Sequence, residues 1–199
     1  GECNVSLTAP VATDNCNGVI TATTTDPINY STEGTYVVTW NYEDALGNTS
    51  SQTQNVIVDD ITPPLISCLS DTSYWVITGS CDTTVSGLIP TGISDNCATT
   101  PTLTYSLTGA TNGSGNGNVD GLTFSAGITN VTYTVDDGNG NTNTCVGVVT
   151  VIDTISPSAV CQNINVYVDG AGNASIVAAD IDGGSTDNCG TVNFTASQT

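Results

Sequence analysis

The chain of 199 residues contains 19 aspartate and glutamate residues but no lysine, arginine or histidine, so its formal net charge at pH 7 is −19. Because proteins bind phosphate groups through lysine and arginine, this composition excludes nucleic acid and anionic membrane surfaces as partners. The missing histidine and lysine also exclude Ser-His and Cys-His nucleophile pairs, imidazole zinc sites and Schiff-base chemistry.

A repeated pattern organises the chain. Residues 36–74 align with residues 129–167 at a constant offset of 93, without a gap and with twelve identities. The tripeptide Asp-Asn-Cys also occurs three times, beginning at Asp14, Asp95 and Asp187. Because a catalytic constellation normally occurs once, a chain that copies one module is typical of a scaffold that builds length or multivalency.

The first strong structural signal is a β-hairpin. Val38, Trp40 and Tyr42 alternate with polar residues at the two-residue period of a half-buried strand, so we expect these three side chains to face the core. An acidic turn follows at residues 43–48, and a second strand ends at Val58. Signals for helices are nearly absent along the chain. The pattern therefore predicts an all-β protein built from antiparallel β-sandwiches.

The same hairpin pattern returns in the second copy. Val131, Tyr133 and Val135 alternate with threonine and are also expected to face the core, and the acidic turn 136–141 follows them. Residues 112–118, which contain three glycines, are predicted to form a flexible loop that only this copy has.

Two proline-containing segments, residues 59–64 and 153–157, are predicted to be short, stiff linkers between modules, because proline restricts its own backbone and that of the preceding residue. The predicted domains are an incomplete first module, a complete second module and the first half of a third, at residues 1–62, 63–155 and 156–199. Since both ends fall within modules, we expect the chain to be a segment of a longer polypeptide or polymer.

Eight cysteines without any histidine indicate disulfides, an oxidising compartment and an extracellular location. Cys3 precedes Cys16 in the same surroundings in which Cys81 precedes Cys97, which predicts these two pairs. Cys68 is then left to pair with Cys145, a bond that the first copy lacks because Gln52 stands at the corresponding position. We expect the partners of Cys161 and Cys189 to lie beyond the end of this chain.

Calcium is the predicted metal, because hard cations prefer clustered oxygen ligands and the chain has no side-chain cation to balance its carboxylates. Each predicted cluster joins linker acids to the acidic turn of a hairpin. The first set is Asp59 and Asp60 with Glu43 and Asp44, and the second is Asp153 with Asp136 and Asp137. The alternative is that these residues order turns by accepting hydrogen bonds from their own backbone.

Two other classes of function stay open at this point. A binding module for glycans or a partner protein would need an exposed aromatic residue, and Trp75 is the best candidate. An enzyme with paired carboxylates would need two acids facing each other across a cleft, whereas adjacent acids such as Asp136 and Asp137 lie in a turn.

With these motifs in place, the chain resembles the hyalin repeat (HYR) family. The resemblance is carried by the Pro64 to Cys68 segment, the Asp-Asn-Cys motif ending at Cys97, the strand from Val131 to Val135, and Cys145. It implies immunoglobulin-like β-sandwich modules that are adhesive or structural and have no catalytic residues.

The third copy, from Cys161 to Cys189, looks like the version found in large repetitive surface adhesins of bacteria. The resemblance thus implies the repeat region of an extracellular filament or stalk at the cell surface. Its expected partners are neighbouring copies of the same repeat or chain and a glycan or other surface target. No nucleic acid and no membrane span in this segment are expected.

Overall fold

A computed structural model describes residues 1–76, 79–97 and 100–195. The fold is nearly all-β and stapled by disulfides, as predicted. The strands, in chain order, are β1 (Val5–Ser6), β2 (Val11–Asp14), β3 (Gly18–Thr21), β4 (Asn29–Tyr30), β5 (Gly34–Glu43), β6 (Thr49–Val58), β7 (Leu65–Ser67), β8 (Thr72–Trp75), β9 (Asp82–Thr84), β10 (Thr91–Ser94), β11 (Thr102–Gly109), β12 (Gly113–Asn116), β13 (Thr123–Ser125), β14 (Gly127–Asp136) and β15 (Thr142–Ile152).

The chain divides into two compact units that interleave along the sequence. Unit 1 comprises Gly1–Ser67, Gly92–Leu103 and Thr134–Thr144, and unit 2 comprises Cys68–Thr91, Thr104–Tyr133 and Cys145–Thr199. These units do not coincide with the predicted modules, whose boundaries near residues 62 and 155 stay a prediction.

Unit 1 is organised around the long hairpin of β5 and β6. The two strands pair antiparallel from Gly34 opposite Val58 to Glu43 opposite Thr49. The shorter pairs β1 with β4 and β2 with β3 also belong to residues 1–58, and an isolated bridge joins Thr23 to Asn41. Alternate residues of β5 point inward, and the core cluster consists of Ala22, Tyr30, Val38, Trp40, Val56 and Val58, with Tyr42 partly buried against it.

The largest sheet has the strand order β12-β11-β14-β15-β8. Its edge strand β8 runs parallel to β15, with Thr72 opposite Val149 and Trp75 opposite Ile152. The sheet is therefore not purely antiparallel, which is a correction to the prediction. Parallel neighbours need a long crossover connection, and here the chain between β8 and β15 supplies it.

The predicted inward residues of the second copy are buried. Val131, Tyr133 and Val135 are each 0% exposed, which confirms the alternating pattern. The Tyr133 hydroxyl donates a hydrogen bond to the Leu88 carbonyl at 2.6 Å and accepts one from the Val119 N–H at 3.2 Å. A phenol can enter the core at no loss of hydrogen bonding only when its hydroxyl finds such partners.

The predicted flexible loop at residues 112–118 is wrong over its central part. Residues 113–116 form β12, which pairs antiparallel with β11 from Thr104 opposite Asn116 to Leu107 opposite Gly113. A Cβ atom at Gly115 would lie 2.6 Å from the Tyr105 hydroxyl oxygen. This glycine therefore permits close packing of an aromatic side chain against the strand, a role that composition cannot distinguish from flexibility.

The described part of the third copy contains isolated bridges between Ser158 and Thr186 and between Cys161 and Asp182, and a 3-10 helix at Ala178–Ile181. Most of its apolar side chains are exposed, Tyr167 at 87% among them. Across the described residues, no helix has the length and apolar character that crossing a bilayer requires.

Candidate functional site

Three disulfides link cysteines that are far apart in sequence. They join Cys3 to Cys97, Cys68 to Cys145 and Cys81 to Cys189, with separations of 94, 77 and 108 residues. Cys16 and Cys161 are free and exposed. Each bond therefore closes a long loop, and the sequence ranges of the three loops overlap.

The predicted pairs Cys3 with Cys16 and Cys81 with Cys97 are wrong, and only the pairing of Cys68 with Cys145 agrees with the structure. The expectation that Cys189 has its partner beyond the chain is also wrong, because Cys81 is bonded to it. In the two corrected bonds, an Asp-Asn-Cys cysteine is joined to a cysteine of the preceding copy. The first and second copies each carry both kinds of cysteine, so similarity of surroundings does not distinguish pairing within a copy from pairing between copies.

Each Asp-Asn-Cys motif folds into a turn with the same hydrogen bond. The aspartate Oδ1 atom accepts a hydrogen bond from the backbone N–H of the cysteine two residues later, at 2.9 Å for Asp14, 2.8 Å for Asp95 and 2.8 Å for Asp187. Aspartate favours such turns because its short side chain reaches its own backbone. The turn presents the cysteine for bonding.

The asparagine of this motif contacts the partner segment, a role that the sequence reasoning missed. The Asn96 Nδ2 atom donates to the Glu2 carboxylate and to the Cys3 Sγ atom, both at 3.3 Å. The Asn188 Nδ2 atom donates to the Ser80 carbonyl at 3.0 Å. Glu2 and Ser80 are the residues immediately before the bonded cysteines. The threefold recurrence of asparagine at this position was the available signal.

Three acidic turns share a second geometry. Asp44 Oδ1 accepts hydrogen bonds from the N–H groups of Leu46 and Asn48 at 2.9 and 2.8 Å, and the Asn48 amide donates to Asp44 Oδ2 at 2.7 Å. The Asp137 and Asp169 turns repeat the two backbone bonds. The glycine before the closing asparagine has a positive φ in all three turns, 84° at Gly47, so a residue with a Cβ would be strained there.

These hydrogen bonds stabilise the ionised carboxylates. Donation from the Asn48 side chain and backbone holds the pKa of Asp44 below its ordinary value. Burial acts to raise the pKa of Asp137, but the N–H groups of Asn139 and Asn141 and the Asn141 amide together lower it. The turns thus use their aspartates for backbone ordering, which was the alternative to calcium binding.

The structure brings together a different set of acids from the two predicted clusters. Asp60 meets the second turn: the Asn139 and Asn141 amides donate to its Oδ2 atom at 3.1 Å and its carbonyl at 2.9 Å. Among the residues described, the one group close enough to share a metal ion is Asp60, Asp95 and Cys97, whose ligand atoms lie within 4.8 Å of one another. The grouping of Asp59 and Asp60 with Glu43 and Asp44 is therefore not formed as predicted.

The acids of the second predicted cluster, Asp153 with Asp136 and Asp137, also have other partners than predicted. Asp153 Oδ1 accepts hydrogen bonds from the Ile155 N–H at 3.0 Å and from the Asn188 amide at 3.5 Å. Asp136 Oδ1 accepts one from the Gly138 N–H at 2.8 Å, within its own turn. Asp60 thus contacts asparagines of the acidic turn in the following copy, and Asp153 contacts Asn188 of the following Asp-Asn-Cys turn.

The group of Asp60, Asp95 and Cys97 supplies some of the ligands that a hard cation needs. Asp60 is only 3% exposed, and carboxylate oxygens are the ligands that calcium prefers. The Cys97 sulfur is bonded to Cys3 and is no thiolate ligand, so within this group of three the anions are the carboxylates of Asp60 and Asp95. Backbone carbonyls and water would have to complete a coordination sphere of about 6 to 8 oxygens.

The Trp75 side chain is exposed, as binding of a ligand would require. It ends the edge strand β8 and is 59% exposed, in contrast to Trp40, which is 3% exposed in the core of unit 1. An exposed indole on a strand is available for stacking against a ligand.

Models of known protein families match most of the chain. Residues 2–58 match the HYR-like domain with 4 cysteines, and residues 59–151 match the HYR domain. Among solved structures, the protocadherin gammaB7 EC3-6 cis-dimer aligns with 84% of this chain and 46% of its own, at a TM-score of 0.32 and 13% identity.

Two curated relatives carry the name Hyalin. The protein of Lytechinus variegatus is 31% identical over 197 residues, covering 96% of this chain and 35% of the relative. That of Strongylocentrotus purpuratus is 35% identical over 142 residues, covering 69% of this chain and 11% of the relative. The chain therefore spans about a third or less of the length of these relatives. Both come from sea urchins, so they give no support to the bacterial part of the predicted resemblance. Two tandem modules of the hyalin repeat type make up residues 2–151.

Proposed function

We propose that this chain is a force-resisting and adhesive repeat segment of an extracellular surface protein, with no catalytic step of its own. The observation that carries the proposal is the overlap of the disulfides between successive modules. Cys3 in the first match is bonded to Cys97 in the second, and Cys81 in the second is bonded to Cys189 in the following segment. Disulfides persist in the oxidising environment outside cells, which supports the extracellular location.

The overlap shortens the covalent path along which tension travels. From Cys3 to Cys189 this path crosses two disulfides and only the 16 residues that separate Cys81 from Cys97. At about 3.6 Å per extended residue, that path stretches to about 70 Å with its bridges, whereas the reduced chain stretches to about 670 Å between the same two positions. A filament or stalk at the cell surface benefits from modules whose unfolding releases only a small part of the length of the chain.

This role is tested by stretching single chains held at their two termini. Adding reductant under tension is expected to lengthen the fully unfolded chain by about 600 Å, because both bridges across the junctions open. The control is the chain held in oxidising buffer, which should show no such step. A gain of about 300 Å would match pairing within each copy and would contradict the proposal.

A second candidate function, binding of a glycan, is favoured by the exposure of Trp75. Titration with a panel of neutral polysaccharides is expected to shift Trp75 fluorescence, while the buried Trp40 supplies an unchanging reference. The Trp75→Ala variant should lose the response. A response that persists in this variant would contradict a role for Trp75.

Calcium binding at Asp60 and Asp95 is proposed as part of the structural role. Two carboxylates this close repel each other more strongly as burial lowers the local dielectric constant, and the chain has no lysine, arginine or histidine to balance them. A divalent cation would remove that repulsion.

The test is thermal unfolding with calcium and with chelator. Calcium at about 100 times its Kd should raise the free energy of unfolding by about 2.7 kcal/mol. Asp60→Asn should abolish this gain, while Asp59→Asn, at the exposed neighbouring position, should keep it. An identical melting temperature with calcium and with chelator would remove the metal from the proposal.

A further inference from the structure

Cys16 is the one cysteine of the three Asp-Asn-Cys turns that has no disulfide. Its counterparts Cys97 and Cys189 are bonded to Cys3 and Cys81, and Cys16 itself is free and exposed. The Asp14 carboxylate orders the Cys16 turn with the same backbone bond that Asp95 and Asp187 make. Cys16 is therefore presented in the conformation that the two bonded cysteines adopt.

The two bonded partners also resemble each other. Cys3 and Cys81 each stand third in a Gly-x-Cys segment, at residues 1–3 and 79–81. Each segment leads into a short strand, β1 or β9. In both cases the asparagine of the Asp-Asn-Cys turn contacts the residue just before the partner cysteine. The two junctions thus use one recognition geometry, in which Asn15 would occupy the place of Asn96 and Asn188.

A second observation at the same end of the first module points to an attached segment. At the offset of 93 residues, Ser50, Gln52 and Gln54 of β6 correspond to Asn143, Cys145 and Gly147 of β15. The β15 residues are half-buried or buried, whereas all three residues of β6 are exposed. This strand face is covered in the second copy and exposed in the first.

The covering segment in the second copy is the linker and the residues after it. The Asn143 amide donates to the Pro64 carbonyl at 2.9 Å, and Cys145 is bonded to Cys68. A Cβ atom added at Gly147 would lie 3.4 Å from the Leu69 Cβ, so the two residues are in contact. Residues 64–69 therefore cover these positions of β15.

In the first module the corresponding surface is a cleft between β2 and the beginning of β6. It is lined by Val11, Asp14, Ile20, Tyr42, Asn48 and Gln52 among others. The turn that holds Cys16 directly follows β2. The open strand face and the free thiol are thus features of the same module, and each has a filled counterpart in the second module.

We propose that the Cys16 turn and this cleft form an attachment site for another hyalin-type module, which supplies a linker strand along β6 and a Gly-x-Cys cysteine that forms a disulfide with Cys16. This inference rests on the proposed role as a segment of an array. It extends that role by naming the surface and the covalent bond through which the array continues.

The bond forms by exchange with a small-molecule disulfide of the oxidising compartment. The Cys16 thiolate attacks one sulfur of that disulfide, the sulfur–sulfur bond breaks, and one small thiolate leaves. The cysteine of the arriving module then attacks the Cys16 sulfur and displaces the second small thiolate. Two protein thiols are oxidised, and one small disulfide is reduced to two thiols.

The first test uses the full chain and a synthetic peptide with the sequence of residues 79–85. The peptide carries its cysteine as a mixed disulfide with pyridine-2-thiol, so attack by a protein thiolate releases pyridine-2-thione and needs no other oxidant. Peptide mapping by mass spectrometry is expected to find the peptide on Cys16 in preference to Cys161, the other exposed thiol. The control probe is glutathione activated in the same way, as its mixed disulfide with pyridine-2-thiol. It should label Cys16 and Cys161 without this preference.

A variant separates recognition from simple exposure. Asn15→Ala should slow coupling of the peptide to Cys16 about fivefold, the equivalent of one hydrogen bond. Asn17→Ala, in the same turn, should leave the rate unchanged, because Asn17 contributes its backbone N–H to Asp14. Equal labelling of Cys16 and Cys161 by the peptide, or no effect of Asn15→Ala, would overturn the assignment of Cys16.

The second test examines the cleft. Gln52→Cys places a thiol where Cys145 stands in the second module, and Thr53→Cys places one on the opposite face of β6. A peptide with the sequence of residues 60–69, activated at its cysteine in the same way, is expected to couple faster to the Gln52→Cys variant. Equal rates for the two variants would overturn the cleft as the place of the linker strand. Failure of either coupling test leaves the stretching result untouched, so the two proposals fail separately.

Discussion

Removing the disulfide between Cys68 and Cys145 is expected to lower the free energy of unfolding of unit 2 by about 4 kcal/mol. The bond closes a loop with a separation of 77 residues, and a long cross-linked loop restricts the unfolded chain strongly. It also ties Cys68 covalently to Cys145 in β15. The measurement is denaturant unfolding of the double variant Cys68→Ser and Cys145→Ser, followed by circular dichroism.

Cys161→Ser is the matched control, because Cys161 is free and exposed and its replacement should change stability by less than about 0.5 kcal/mol. Thiol mapping of Cys3→Ser adds a check on the pairing. That variant should release the thiol of Cys97 and leave Cys16 as it is. Equal stability of the double variant and the control would contradict the assigned role of the bond.

Replacing Tyr133 with phenylalanine is expected to cost about 2 kcal/mol of folding stability, because it leaves two buried backbone groups without their partner. The Tyr133 hydroxyl bonds to the Leu88 carbonyl and the Val119 N–H, and the side chain is 0% exposed. Burial also raises the pKa of this phenol, so it stays neutral in the core. Thermal and denaturant unfolding of Tyr133→Phe measure the loss.

Tyr36→Phe serves as the control for removal of a hydroxyl. The Tyr36 hydroxyl donates to the Thr32 carbonyl at 2.8 Å in an exposed position, where water can replace it. Its loss should stay within about 0.5 kcal/mol. If the two variants lost the same amount of stability, the buried hydrogen bonds of Tyr133 would not be the cause.

Local patterns predicted much of the fold. Alternation along a strand depends only on successive side chains pointing to opposite faces, so Val38, Trp40 and Val131 were placed in the core correctly. The Asp-Asn-Cys turns were predictable for the same reason, because an aspartate reaches its own backbone within two residues. The β12 strand was missed, because glycine supports both a loop and a close approach to Tyr105.

The candidate sites were predicted less well because they join distant parts of the chain. The linker acids were assigned to the turn of the module before them, whereas Asp60 meets Asn139 and Asn141 of the module after it. Spacing along the chain does not tell on which neighbour a linker packs. Only the folded contacts of Asp60 decide that, with Glu33 of the module before it and with the turn of the module after it.

By itself, the sequence determined that this is a cysteine-rich array of β modules without lysine, arginine or histidine. Composition, repetition and strand period are properties of the chain alone. The tertiary structure decided which cysteines meet. The first two copies each carry a Gly-x-Cys cysteine and an Asp-Asn-Cys cysteine, so pairing within a copy and pairing across a junction are equally consistent with the repeats. The difference arises because the Asp-Asn-Cys turn of one copy lies against the Gly-x-Cys segment of the copy before it, a proximity that exists only once the strands have packed.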